Sequence, residues 1–206
     1  MKRCIAMIAL ILLMIPLTVA VQTQSANMVK NGDFEKFTGD TPVGWETSNI
    51  PGTLTVVSSS PLAHGGTKGV KCEVKDFYGS KIAGFACQKN IELLGKELQL
   101  SGYYLFHSVG KDAAVVILCF QNAAGSTVGT DEQYFREEKR EFTRFTKEIK
   151  APDAASTVQV RLTILDDAEG GTLDLGSYVV FDDIKLVALP PKPKAVVRDS
   201  LAVKDN

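Results

Sequence analysis

The sequence predicts an all-β protein, a sandwich or a barrel, and three observations carry that expectation. Short runs rich in β-branched and aromatic residues recur between turn signals such as "AHGGTKG", "NAAGST" and "DDAEGGT". No alternation of strand-like and helix-like segments runs through the chain, which argues against βαβ units. Several runs alternate apolar and polar residues with a period of two, the mark of a strand with one buried face.

The runs are expected as strands at Leu54–Ser58, Gly69–Val74, Ala83–Leu93, Glu97–Ser108, Ala113–Gln121, Phe142–Ala151, Thr157–Leu165 and Tyr178–Leu189. In "TVQVRLTIL", Val158, Val160, Leu162 and Ile164 point one way and Gln159, Arg161 and Thr163 the other. In "LQLSGYYLFH", Leu98, Leu100, Tyr104 and Phe106 share a face opposite Gln99, Ser101, Tyr103 and His107. "AAVVILCFQ" is apolar on both rows; with Val116, Leu118 and Phe120 inward, Gln121 joins an outer surface. "DEQYFREEKREFTRFTKEI" has apolar residues at 135, 142, 145 and 149, a passable helical period. Its Phe and Thr content favours a loop followed by a strand from about Phe142, with the charges of "REEKRE" on a solvated loop or strand end.

The chain ends read differently from this body. Lys2 and Arg3 precede an apolar stretch, Cys4 to Ala20, with small residues at Thr18 and Ala20. This is the pattern of a secretory leader cleaved after Ala20, with Ala26 as a fallback. The stretch is short for a membrane span, which takes about 20 residues, and no second apolar run follows. The expected product is soluble, and secreted or periplasmic. The end, "LPPKPKAVVRDSLAVKDN", is proline- and charge-rich and is expected to be a disordered tail or linker remnant from about residue 190. The domain between spans about Asn27 to Leu189.

Composition excludes several classes. The formal charge of the whole chain is −1, a balance that points to neither nucleic acid nor anionic membrane as partner. Beyond the leader stand Cys72, Cys87 and Cys119, an odd number with no CxxC pair, and the only histidines are His64 and His107. A zinc site therefore has almost no material. Export would permit a Cys72–Cys87 bridge, but small apolar core residues are the favoured reading of all three. Glycosidase chemistry needs two carboxylates across a cleft. The adjacent pairs Asp131/Glu132, Asp166/Asp167 and Asp182/Asp183 would be splayed to opposite faces by a strand. There is no GxSxG or HExxH, and "GGTKG" lacks the ending of a phosphate loop and reads as a turn.

"NMVKNGDFEKFTGDTPVGW", with Asn31-Gly32-Asp33-Phe34-Glu35 and Gly44-Trp45, resembles the opening signature of the CenC-like (family 4/9/22-type) jelly-roll carbohydrate-binding modules. "GTKGVKCEV", "LQLSGYYLF", "EFTRFTKEIKAPDAASTVQVRL" and "YVVFDDIKLV" match further landmarks in order, over about Asn27 to Leu189. Phe142 stands where the pattern usually has Trp, a change compatible with core packing. The resemblance implies a jelly-roll β-sandwich that binds polysaccharide without acting on it. In such a fold the first and last strands often lie side by side, so Glu35 and Asp182 could meet. Two close carboxylates repel unless a cation separates them, and oxygen ligands of this kind suit Ca²⁺. The resemblance implies a structural calcium held by Glu35, the carbonyls of Asp33 and Lys68, and Asp182. The plainer reading is that these carboxylates cap turns.

Sugar recognition needs aromatic faces and planar polar side chains. The outward rows offer Tyr103, His107, Gln121 and Arg161, and loops add Phe77, Tyr78 and Tyr134. The resemblance makes Tyr78 the nearest match to a ligand-stacking loop aromatic. Trp45, the single tryptophan, is expected to plug the core, since Trp is highly buried on average. No catalytic domain is legible beside the sandwich, which keeps open a structural or adhesive role toward other cell-surface or secreted proteins.

Overall fold

The computed structural model describes residues 26–167 and 171–190. The expected leader and most of the expected tail lie outside the described residues. Among the described residues there is no α-helix. Thirteen strands follow in order: β1 Phe37–Thr38, β2 Thr41–Pro42, β3 Glu46–Thr47, β4 Val57–Ser60, β5 Gly69–Phe77, β6 Ser80–Ala83, β7 Phe85–Glu92, β8 Glu97–His107, β9 Asp112–Gln121, β10 Thr127–Phe135, β11 Lys139–Lys150, β12 Thr157–Asp166 and β13 Tyr178–Ala188.

The strands form a two-layer sandwich, all pairs antiparallel. One sheet has the order β10-β9-β12-β7-β3. The other runs β11-β8-β13-β5-β4, with β6 hairpinned onto β5, and β1 and β2 make a small separate hairpin. The alternation read from the sequence fixes the core. Val158, Val160, Leu162 and Ile164 of β12 are fully buried, as are Leu98 and Phe106 of β8, with Leu100 and Tyr104 nearly so. Val116, Leu118 and Phe120 of β9 complete the interface between sheets.

One segment departs from expectation. The stretch read as loop before Phe142 contains β10, paired along its length with β9. This is an edge strand, and its inward row is Asp131, Gln133 and Phe135, opposite Leu118, Val116 and Ala114. Only Phe135 of the three is buried, so no apolar row marked it. Polar inward residues are a common protection of sheet edges. Here Lys147, reaching from β11, binds Asp131 at 2.7 Å and donates to the Glu132 carbonyl at 2.9 Å, clamping the two edge strands together. Phe142 is also displaced from the core. It is half-buried, edge-on to His64 with ring centroids 6.3 Å apart, because the register shifts between Lys139 and Thr143.

The "NGDFE…GW" segment has a structural account residue by residue. Asn31 takes a left-handed backbone (φ 48°), and its amide side chain ties the loop by donating to the carbonyls of Lys36 and Val43 and accepting from the Lys36 amide. Gly32 lies against β13; a Cβ there would sit 2.1 Å from the Ile184 carbonyl oxygen, and the Ile184 amide donates to the Gly32 carbonyl. Phe34 is fully buried against Trp45, ring centroids 5.2 Å apart. Trp45 is the expected core plug, 5 % exposed, with Nε1 donating to the Lys30 carbonyl.

Candidate functional site

The outer face of the five-stranded sheet is assembled by register. Glu132, Ile117, Arg161, Cys87 and Glu46 are successive cross-strand partners and form one row across all five strands. Tyr134, Val115, Thr163 and Phe85 form the next row. Thr130, Cys119 and Gln159 continue on the other side, and Gln121 stands opposite Thr157. Neighbouring strands are about 4.8 Å apart, so Phe85 and Tyr134 bracket a span of about 14 Å.

Each of these two rings carries a guanidinium. Arg161 lies over Phe85 at 4.5 Å and Arg136 over Tyr134 at 4.8 Å, within cation–π range. Arg136 is held by an ion pair with Asp167, which pulls the Asp167 carboxyl below its ordinary range. Tyr134 donates from its hydroxyl to Glu132 at 2.8 Å, and that bond pushes the phenol's pKa up. Glu46 and Lys89 pair at 2.6 Å at the far edge. Nε of Arg161 is buried and without a hydrogen-bond partner. The face therefore presents planar polar groups and aromatic rings together, the equipment that sugar hydroxyls and C–H faces require.

The six residues singled out from the sequence do not form one constellation. Gln121, Tyr134 and Arg161 share the face just described. Tyr134 is on a strand, not a rim loop, because the presumed loop is β10. Tyr103 and His107 lie on β8, in the other sheet, on the opposite outer surface. Tyr103 is covered there by the His64 ring, stacked at 3.3 Å between centroids. Tyr78 sits at the tip of the β5–β6 hairpin, 88 % exposed, with Phe77 edge-on at 4.7 Å. Sequence reasoning passed over Phe85 and Glu132; Phe85 was hidden inside the long run Ala83–Leu93, where alternation is weak.

Of the four residues assigned to calcium, Glu35 and Asp182 bind the loop from His64 to Lys68, which itself contains the third, Lys68. Both oxygens of Glu35 are engaged at its far end, Oε1 accepting from the amides of Thr67 and Lys68 and Oε2 from the Thr67 hydroxyl. Those amides hold the Glu35 carboxyl below its ordinary pKa. Asp182, fully buried, takes the near end: Oδ2 accepts from the amides of His64 and Gly65, and Oδ1 from that of Asp183. Burial pushes its pKa up against those bonds. Gly66 allows the close approach, with a left-handed φ of 64° and no Cβ to meet Glu35. The turn read from "GGTKG" thus cradles anions after all, and they are the chain's own. Asp33 is exposed on the segment leading into Glu35. Among the described residues no three His, Cys, Asp or Glu side chains are grouped as a metal cluster. The carboxylate oxygens of Glu35 and Asp182 are of the kind that suits a hard cation rather than a transition metal, and here they accept from backbone amides and the Thr67 hydroxyl.

Asp182 and Asp183 also break the rule that a strand splays neighbours. β13 shifts register between Asp182 and Lys185, and Asp183 has a φ of 52°. Both carboxylates consequently reach His64, Asp183 through its Oδ2 at 2.8 Å from Nδ1. Cys72 and Cys87 are free. Cys72 faces the core from β5, while strand parity puts Cys87 on the outer row beside Arg161, in the other sheet.

This is the antiparallel β-sandwich found in carbohydrate-binding modules and in other proteins besides. "Family 16 Carbohydrate Binding Module-2" superposes with a TM-score of 0.54 at 21% identity, over 78% of this chain and 99% of that one. TmCBM61, solved in complex with β-1,4-galactotriose, gives 0.52 at 17%, over 80% and 100%. A cyclase from Fischerella sp. TAU gives 0.54 at 16%, over 82% and 100%. The chain also covers 21% of the enzymatically active domain of bacteriophage CBA120 tailspike protein 4, at 14% identity and a TM-score of 0.55. No family model matches the sequence, and no match to a curated protein was found. At these identities the likeness is one of fold.

Proposed function

We propose that this chain is a secreted, non-catalytic glycan-binding domain, and that a polysaccharide lies across the outer face of the five-stranded sheet. The observation that supports this most directly is the seat of Arg161 on Phe85 at the centre of that face, with Glu132, Tyr134, Gln159 and Gln121 around it. Arg161 is half-buried with its guanidinium over Phe85, and that guanidinium is the group that would donate to sugar hydroxyls. Glu132 and the two Gln side chains supply further planar acceptors and donors. Phe85 and Tyr134 lie toward either end, each beneath a guanidinium that holds it in place, and Tyr78, 88 % exposed at the tip of the β5–β6 hairpin, is the aromatic most open to solvent. Several of the solved structures with this fold are carbohydrate-binding modules, which adds to the case.

The proposal includes a structural Ca²⁺ at the corner where Glu35 and Asp182 hold the 64–68 loop, with the carbonyls of Asp33 and Lys68. Asp182 is a buried carboxylate with Asp183 beside it, a setting in which a cation would offset the cost of ionisation. The ion would hold the chain ends in place and take no part in binding sugar.

The test is isothermal titration with soluble xylan, β-glucan and β-1,4-galactan. Arg161→Ala and Tyr134→Ala should each weaken binding about tenfold, about 1.4 kcal/mol, with the melting temperature unchanged. Retained affinity in both variants would mean that this face does not bind the glycan.

A further inference from the structure

A second groove crosses the opposite side of the sandwich. Leu62 of the β4–β5 loop, Glu138 of the β10–β11 turn and Arg140 at the start of β11 form its walls, and Leu105, His107 and Tyr178 form its floor. Its volume is about 400 Å³, within the range of small-ligand sites. The floor is set by register: His107 pairs with Tyr178 across β8 and β13, and Leu105 lies one outward step along β8.

We propose that this groove is a second glycan subsite, for an uncharged pyranose unit, so that one domain holds two chains on opposite faces. The inference rests on the glycan reading above and extends it to a separate surface. The Tyr178 ring, flanked by His107 and Lys71, and the Leu105 side chain supply the apolar part of the floor. His107 leans on Tyr178 with ring centroids 5.3 Å apart at 37°, which fixes both rings. Glu138 sits between His107, at 3.1 Å, and Arg140, at 3.5 Å. That trio lines the groove with a carboxylate, an imidazole and a guanidinium side by side, the planar partners that adjacent hydroxyls bond. The charges are matched within the site, since Lys139 pairs with Glu137 and Lys71, above the Tyr178 ring at 5.0 Å, pairs with Glu73. A neutral sugar needs no counter-charge there, whereas an ionic ligand would have to break these pairs. Leu62, 47 % exposed, leaves one wall open to solvent.

The experiment is the stoichiometry of titration of the full chain with short xylan, β-glucan and β-1,4-galactan oligosaccharides. The expected result is two sites per chain, falling to one in Leu62→Arg, which fills the groove from an exposed position, and likewise in Glu138→Ala. Arg161→Ala should remove the other site. A single site that is lost in Arg161→Ala and unaffected by Leu62→Arg and Glu138→Ala overturns the second subsite and leaves the first reading standing. A single site lost only in the groove variants overturns the role of the five-stranded face and upholds the groove. Absence of binding to every sugar tested overturns both.

Discussion

Glu35 and Asp182 grip the two ends of one short loop, Glu35 through the amides of Thr67 and Lys68 and Asp182 through those of His64 and Gly65. The two carboxylates come from the start and the close of the domain, and the loop joins β4 to β5. The expected meeting of first and last segments is therefore mediated by a third. The segments also touch directly, through the Met28 amide on the Leu186 carbonyl and the Ile184 amide on that of Gly32. Asp182→Ala would remove the acceptor for three amides at a fully buried position. Unsatisfied groups of this kind cost about 1–3 kcal/mol, and each 1 kcal/mol lowers the melting temperature of a domain this size by about 2–4 °C. Glu35→Gln keeps one acceptor oxygen and should cost less. Thermal denaturation of the two variants checks the order.

The same two residues should bend the acid limb of stability in opposite senses. The Thr67 and Lys68 amides depress the Glu35 carboxyl. Its contribution is full above the unfolded pKa and is lost as pH falls through the lower folded value. Burial raises Asp182, so folding favours its protonated form and stability rises as pH falls through that raised value. Glu35→Gln should flatten the loss of stability on acidification, and Asp182→Asn should steepen it. Urea midpoints across the carboxylate range, taken with EDTA present so that no cation sits on either group, measure both slopes, and parallel curves for the two variants would contradict the assignment.

The proposed calcium separates from these hydrogen bonds by a chelation test. If the ion is held at this corner, EDTA should lower the melting temperature of the native chain, and added Ca²⁺ should restore it. A ligand that binds only the folded state at 100 times its Kd contributes about 2.7 kcal/mol. In Glu35→Ala the melting temperature should no longer respond to EDTA. A native chain indifferent to EDTA would mean that the amides alone hold the loop.

Period-two patterns made β8 and β12 legible in sequence because each has one apolar and one polar row. The same pattern could not say which sheet a strand joins. Tyr103, His107, Gln121 and Arg161 all read as outward, yet β8 and β12 belong to different layers, so one imagined surface became two. β10 was hidden because its inward Asp131 and Gln133 replace an apolar row with an edge clamp to Lys147. The joint reach of Asp182 and Asp183 was hidden because it depends on a bulge and a left-handed backbone at Asp183, neither of which a two-residue pattern encodes. The opening motif was legible because Gly32, Phe34 and Trp45 each meet a demand specific to their residue type: close approach, burial, and burial with a donor.

The three cysteines among the described residues give a probe of the five-stranded face that does not depend on affinity. The thiolate is the reactive form. Cys72 is sealed in the core, its pKa pushed up to about 12 by burial, and burial also pushes the Cys87 thiol up. Cys119 is half-buried on the outer row of β9, opposite Gln159 and Thr130 and close to Gln121. With Ellman's reagent, the native domain should therefore show one fast thiol, absent in Cys119→Ser, and two that react only on unfolding. A polysaccharide lying across Arg161 and Gln121 would cover Cys119, so saturating glycan should slow the fast phase. Binding that leaves this rate unchanged would place the sugar away from β9, even if the affinity is high.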